Sequence, residues 1–360
     1  MTPGGGHGRP RDGQSPAVVL AVDSGGSGLR VALGAHGAPD EADGSARLAA
    51  PDRLGGPLTS REPVRTGPRG ISADHLLEQL LPMARRLMAE ADADRLGAMA
   101  VGAAGLATLG DELRDELPAA LERELGVRRL ALAADAVTAY AGALGSRAGA
   151  VIAAGTGMIA IGTDLTSWRR ADGWGHLLGD CGGGAWIGRA GLEAALRAFD
   201  GRPDGSAALL ARAEDRFGPM PELPGLLYPR TDRAAVLASF APDVADLSGS
   251  DPVSSRILRT AARHLAESAA AVCAADGDRH LAFTGGLFNL GAALLEPLDE
   301  ELAERLPNVH RVPAAGDPLD GALRIAADLA DGRLALPLDE RMLHVVAEKP
   351  YQEIHGPNTP

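Results

Sequence analysis

The stretch Asp23-Ser24-Gly25-Gly26-Ser27-Gly28 follows directly on the apolar run Ala17-Val18-Val19-Leu20-Ala21-Val22. A second stretch, Ala154-Gly155-Thr156-Gly157, follows Ala150-Val151-Ile152. Each sets backbone without bulky side chains at the end of a buried strand, where N–H groups can approach phosphate oxygens closely. Each is followed by another β-rich run, at residues 29–33 and 158–161. One such loop says little. Two, about a domain's length apart, imply a pair of strand-turn-strand nucleotide clamps facing one another across a cleft.

The bulk composition agrees with that reading. A chain of 360 residues can build two domains of ordinary size. Hydrophobic residues are 45% of it but aromatics only 3%, so the core must be made of Ala, Leu and Val. A net charge of -13 argues against nucleic acid or an anionic membrane as main partner, because either needs basic surface. It does not exclude a nucleotide, whose phosphates backbone N–H groups and a metal can hold. Cys181 and Cys273 are the only cysteines, too few and too far apart for a disulfide framework or a Cys-rich metal site. No run approaches the roughly 20 apolar residues that span a bilayer. Residues 1–15 are rich in Gly, Pro and Arg and have no apolar segment, the pattern of a disordered leader and not of a signal peptide. The expected location is cytoplasmic.

Along the chain, strands are expected at residues 17–22, 29–33 and 96–102, and near 46–49. Ser72 is placed to cap a helix carrying Leu76, Leu77, Leu80, Leu81, Ala84 and Leu87 at helical spacing. A helix over 110–125, a strand over 129–133 and a helix over 136–144 follow. At Gly149 the pattern restarts with strand, Gly-Thr-Gly and strand, so the domain boundary belongs there. The expected units are 16–148 and 149–332, with the last helix (about 320–330) able to pack back on the first unit. Residues 333–360 read as a peripheral tail.

Four places carry chemistry. Asp23, at a strand end before a Gly-rich turn, suits a Mg²⁺ that neutralises nucleotide phosphates, or simply caps the turn. Asp135 ends the apolar run 130–134 and precedes a helix; it suits either an N-cap or a general base that takes a proton from an attacking hydroxyl. Its position at the carboxyl end of a strand favours the base. Gly173-Trp174-Gly175-His176-Leu177-Leu178-Gly179-Asp180 is the most specific stretch of the chain. Its glycines admit a small polar ligand and Asp180 can accept bonds from vicinal hydroxyls, although a Gly-rich connector with a core Trp has the same composition. Gly285-Gly286, after residues 281–284, can form a nucleoside platform or a plain strand-to-helix turn.

Read in order, these pieces resemble the N-acetylglucosamine kinases and the BadF/BadG/BcrA/BcrD-type ATPases of the actin, hexokinase and Hsp70 superfamily. The resemblance runs from about residue 18 to 330. It rests on 23–27, on Ala134-Asp135-Ala136, on Gly155-Thr156-Gly157, on 173–188 and on Thr284-Gly285-Gly286. It implies an α/β fold of two RNase H-like domains of the actin/hexokinase type, with ATP, Mg²⁺ and a sugar in the cleft between them. By position it implies Asp135 as base, Gly173, Trp174, Gly175 and Asp180 as sugar contacts, and Asp23 near the metal. Gly25, Gly26, Ser27, Gly155, Thr156 and Gly157 would face the phosphates, and Gly285 and Gly286 the adenosine. The implied reaction is transfer from ATP to an amino-sugar hydroxyl, most simply the 6-hydroxyl of N-acetylglucosamine, and a homodimer is usual among such proteins.

The chain departs from the pattern in places. Loop 50–70 has no Asn, the residue that reads the sugar in N-acetylglucosamine kinases, and offers Ser60, Arg61, Glu62, Arg65 and Thr66. Cys181 stands after Asp180 where Glu is usual, Met158 replaces a common Ser, and Ser24 and Ser27 replace Gly and Thr. Two other readings stay open. An ATPase that activates a CoA-linked enzyme would share an iron-sulfur cluster between subunits, which two cysteines poorly support. A sugar-binding regulator would have kept the fold without turnover.

Overall fold

A computed structural model describes residues 17–26, 28–36, 51–273 and 279–347. The leader, Ser27 and the strand expected near 46–49 lie outside the described residues. The first half opens with the hairpin β1 (Ala17–Gly25) and β2 (Gly28–His36). Next come β3 (Leu58–Ser60) and the two-residue strands β4 (Thr66–Gly67) and β5 (Gly70–Ile71). Helix α1 (Ala73–Glu90), strand β6 (Leu96–Ala103), and helices α2 (Leu106–Leu109) and α3 (Asp111–Leu125) follow. Strand β7 (Arg129–Ala134) runs straight into α4 (Asp135–Leu144).

The second half repeats the plan. Strands β8 (Gly149–Ala154), β9 (Met158–Thr163) and β10 (Trp168–Asp172) lead to α5 (Gly184–Phe199). Helices α6 (Ala207–Phe217), α7 (Leu223–Leu227), α8 (Arg233–Ala238) and α9 (Ala241–Leu247) precede the long α10 (Pro252–Val272). Strand β11 (Arg279–Thr284), helix α11 (Ala292–Arg305), strand β12 (Val309–Arg311), helix α12 (Pro318–Ala330) and strand β13 (Leu343–Ala347) close the chain.

The sheet orders are β13-β7-β6-β1-β2-β3 and β10-β9-β8-β11-β12. In both, a three-strand antiparallel meander is extended by two parallel strands. The segment after Gly332, expected at the periphery, supplies the edge strand β13 and buries Leu336 and Leu343.

Alternation along the strands explains the layering. On β1, β6 and β7 one face carries Val18, Leu20, Val22, Met99, Val101, Leu130 and Leu132, packed with α1 and α3 residues such as Leu76, Leu80 and Leu117. The opposite face carries Val19, Ala21, Ala98, Ala100, Ala131 and Ala133. That alanine face lets α4 and α12 lie close, and the same cluster takes in Val151, Ile161 and Ala282 of the second sheet. A third core covers the far face of the second sheet under α5, α10 and α11. Burying each large aliphatic side chain stabilises by about 1.5–3 kcal/mol. The scarcity of aromatics is thus matched by small-residue packing, not by a thin core.

Helix ends follow local chemistry. The Ser72 hydroxyl accepts from the His75 N–H at 3.3 Å, capping α1. Asp317 and Asp320 form a reciprocal capping box on α12, with Pro318 at its first position. Where α4 and α12 cross, glycine is required: a Cβ at Gly321 would run into the Thr138 carbonyl, and one at Gly142 into the Asp317 carbonyl. Gly321→Ala is therefore expected to destabilise by about 3 kcal/mol or more, since neither backbone can retreat. Gly249→Ala, where a Cβ meets open space, is the control. Urea midpoints check this, and equal midpoints for both variants would contradict it.

Candidate active site

The register of each sheet brings its expected residues to one end. Ser24 pairs with Ala103 and Ala103 with Ala134 in parallel, so Asp23, the turn after β6 and Asp135 share the carboxyl end of the first sheet. The Ala104 N–H closes this end by donating to the Ser24 carbonyl at 2.8 Å. In the second sheet Ala153 pairs with Thr284, which sets Gly155 beside Gly285 at the matching end. Ligands of open α/β sheets bind at such carboxyl ends.

The first loop turns between Gly25 and Gly28. A Cβ at Gly25 or Gly26 would meet nothing, so that backbone borders open space. Gly28 has φ +122°, and a Cβ there would strike the Ser60 carbonyl, so glycine lets β3 lie against the loop. Asp23 is not a bare carboxylate. Arg30, its register partner across the hairpin, donates to Asp23 Oδ2 from Nε at 3.0 Å and from Nη2 at 2.6 Å. The same guanidinium reaches Asp317 Oδ2 from Nη1 at 2.8 Å. Burial pushes Asp317 up, but the Asp320 N–H and the charge of Arg30 outweigh it and hold the carboxyl below its usual range.

Asp135 is the first residue of α4; the N-cap is Ala134, so the capping alternative is not the one realised. Its Oδ1 accepts from the Ala136 N–H at 2.9 Å, and its carbonyl accepts from Thr138 Oγ1 at 2.9 Å. Gly102 on β6 leaves the room that the fully buried Thr138 occupies. Desolvation pushes Asp135 up to about 6, the Ala136 N–H opposes that, and the charge of Asp23 adds to it, while Arg170 pulls the other way. Half-buried, near-neutral in affinity for protons and flanked by a second carboxylate, it has the properties of a general base.

In the second loop the Gly155 N–H donates to the Gly157 carbonyl at 2.9 Å. The carbonyls of Gly155 and Thr156 accept from the Gly184 and Ala185 N–H groups of α5 at 2.9 and 2.8 Å. The loop is thereby fastened to the start of α5, with Thr156 at its exposed tip. Gly285 has φ +102°, and a Cβ there would hit the Ala154 carbonyl. Gly285 and Gly286 are exposed beside this loop.

The segment 173–180 is organised by three residues. Asp172 accepts from the Asp180 N–H at 2.6 Å and from the Cys181 N–H at 2.9 Å. Asp180 in turn accepts from the Gly175 N–H at 2.9 Å and lies against Gly157, where a Cβ would collide with its carboxylate. Burial pushes Asp180 up, with the Gly175 N–H opposing. Its carboxylate therefore ties the segment to the second glycine loop, a contact the sequence did not announce. Arg170 donates to the carbonyls of Asp172 and Gly173 at 3.0 and 3.1 Å and stacks 4.2 Å from the Trp174 ring centroid. Trp174 is 62% exposed and so does not fill core space. Trp168 instead packs, partly buried, against the core, edge-on to Tyr140 at 5.3 Å and donating to the Pro337 carbonyl.

Arg30, Asp317, Arg170 and Asp172 were not singled out in the sequence. Arg30 had a signal: it is as far after Gly28 as Asp23 is before Gly25, which makes the two cross-strand partners. Asp172 had one too, abutting Gly173. Asp317, 287 residues from Arg30, had none.

No described group of three or more acidic, His or Cys side chains could hold a metal. A carboxylate beside a glycine turn is the oxygen donor that a hard cation such as Mg²⁺ takes, and Asp23 is the carboxylate in that position here. No helix among the described residues is long and apolar enough to cross a membrane.

Comparison with known proteins identifies the family and the fold. The chain is 31% identical over 220 residues to an N-acetylmuramic acid/N-acetylglucosamine kinase of Clostridium acetobutylicum, covering 58% of this chain and 71% of that protein. A candidate N-acetylglucosamine kinase structure from Chromobacterium violaceum superposes with a TM-score of 0.61 at 26% identity, over 86% of this chain and 99% of the other. A ROK family glucokinase from Streptomyces griseus, solved with glucose and AMPPNP, shares the fold with a TM-score of 0.52 at 18% identity, over 88% and 100% of the two chains. A family model, that of the BadF/BadG/BcrA/BcrD ATPase family, matches residues 71–326. The chain belongs to the BadF/BadG/BcrA/BcrD ATPase family and has the α/β fold of the actin/hexokinase-type sugar kinases.

Proposed function

We propose that the protein transfers the γ-phosphoryl group of ATP to a hydroxyl of an amino sugar, the 6-hydroxyl of N-acetylglucosamine being the simplest acceptor. The observation that carries this reading is Asp135. It is a partly desolvated carboxylate with a proton affinity near 6, next to the first phosphate loop at the carboxyl end of β7. The relative from Clostridium acetobutylicum, named for both N-acetylmuramic acid and N-acetylglucosamine, supports an amino-sugar acceptor.

In this reading the open backbones at Gly25, Gly26 and Gly155 receive the phosphates with Ser27, Thr156 and Gly157, and Gly285 and Gly286 border the adenosine. Gly173, Trp174, Gly175 and Asp180 face the sugar, in a loop that Arg170 and Asp172 hold in shape. Asp135 Oδ takes the proton of the acceptor hydroxyl as its oxygen attacks the γ-phosphorus, and ADP departs. Mg²⁺ near Asp23 supplies screening of the β- and γ-phosphate charge when bound. Closure of the cleft excludes water and keeps ATP from hydrolysis. The acidic surface leaves nucleic acid out of the partners, and a homodimer is part of the proposal by family resemblance alone.

ADP release measured against a panel of amino sugars tests the activity. A kinase releases ADP only with an acceptor; an activating ATPase releases it without one, and a regulator not at all. Asp135→Asn is expected to cut turnover by about 10²- to 10⁴-fold with nucleotide binding retained. A near-normal rate would remove Asp135 as base.

The proton affinity sets two pH dependences. A base must be ionised, so kcat/KM is expected to fall as pH drops below about 6. For stability the sign is opposite. A folded value raised above the unfolded one means that the ionised carboxylate costs stability, none below about 4 and fully above about 6. Asp135→Asn is therefore expected to be more stable than the natural protein by about 1–3 kcal/mol at pH 8, allowing for partial exposure. Melting temperatures that differ equally at pH 4 and pH 8 would contradict this.

A further inference from the structure

The Arg30 guanidinium joins two segments that are remote in sequence. Two of its nitrogens hold Asp23 Oδ2 at the first phosphate loop, and the third holds Asp317 Oδ2 at the N-cap of α12. Arg53 extends the chain, bonding Asp317 Oδ1 at 3.3 Å and Asp320 Oδ1 at 2.6 Å. Asp317 and Asp320 cap each other's backbone N–H groups at 2.9 and 3.0 Å. The Asp317 carbonyl, in turn, lies where a Cβ on Gly142 would fall, so the N-cap of α12 rests on the backbone of α4. Asp135 is the first residue of that same helix. A continuous path of charge-assisted bonds and backbone contact thus leads from the phosphate loop to the helix that bears the base.

A planar guanidinium with three donors aimed at two carboxylates fixes both distance and angle, which a lysine ammonium would not. We propose that Arg30 is a positioning residue that couples the first phosphate loop to the α4–α12 crossing, so that loading the loop stiffens the start of α12. The ligand arm of the test below rests on the ATP reading; the ligand-free arm does not.

The test is hydrogen exchange by mass spectrometry on the full chain, comparing the natural protein with Arg30→Gln, Arg30→Lys and Asp317→Asn. Without ligand, Arg30→Gln is expected to speed exchange about threefold or more in two places: the β1–β2 turn and the first turn of α12. Arg30→Lys, able to hold one carboxylate at a time, restores one of the two. Asp317→Asn keeps an N-capping oxygen and cuts the link at its far end, so it frees α12 while the turn stays as in the natural protein. It also keeps the question open to test should Arg30→Gln not fold. An α12 first turn unchanged in Arg30→Gln, or unchanged in Asp317→Asn, overturns the coupling. With AMPPNP and Mg²⁺, the natural protein gains protection at both places, and Arg30→Gln only at the turn. Equal gain at α12 in both proteins overturns the coupling. If AMPPNP protects neither place in the natural protein, the nucleotide reading fails, and the ligand-free arm still decides the role of Arg30.

Discussion

The close crossing of α4 and α12 is the constraint on which the rest of the molecule depends. It requires glycine at 142 and 321, because each helix presses its backbone against the other. It also requires a flat bed, which the alanines of β1, β6 and β7 supply. Side chains from both sheets enter the same core as these helices. The crossing therefore fixes how α4, which begins at Asp135, lies against both sheets. Larger residues on the alanine face would lift the helices and carry Asp135 away from the loops.

Electrostatics then separate the carboxylates by role. Asp172 and Asp180 are spent on backbone N–H groups, Asp23 and Asp317 on Arg30. Each is fixed, and each shapes a loop or a helix end. Asp135 accepts from the Ala136 N–H and lies in low-dielectric surroundings with Asp23 close enough to repel it. The same burial that makes it costly to ionise makes it a better proton acceptor near neutral pH. In the proposed reaction Asp135 is the reactive carboxylate, and the paired ones are scaffold.

Much of this was legible in the sequence because local rules decided it. Two apolar strands ending in glycine turns marked the hairpins β1–β2 and β8–β9, and Ser72 announced the start of α1. The restart at Gly149 anticipated that the second sheet repeats the order of the first. The contacts of Asp180 and Trp174 were less legible. Asp180 is turned onto Gly175 by a backbone that Asp172 holds, and Trp174 is exposed under Arg170. Both outcomes hinge on cross-strand and loop contacts, not on composition. The link from Arg30 to Asp317 depends on long-range folding, and local sequence has no pattern for it. The edge strand β13 was hidden for the same reason, since a lone strand at a sheet edge has no turn partner nearby.

In the proposed reaction Asp135 faces the acceptor hydroxyl where the triphosphate ends. A crystal structure with AMPPNP, Mg²⁺ and N-acetylglucosamine measures it directly. A sugar hydroxyl oxygen is expected at hydrogen-bond distance from the Asp135 carboxylate, about 2.6–3.2 Å, with the γ-phosphate on the far side of that oxygen. A sugar bound with every hydroxyl more than roughly 10 Å from Asp135, well beyond that reach, or a nucleotide seated away from both glycine loops, would contradict it.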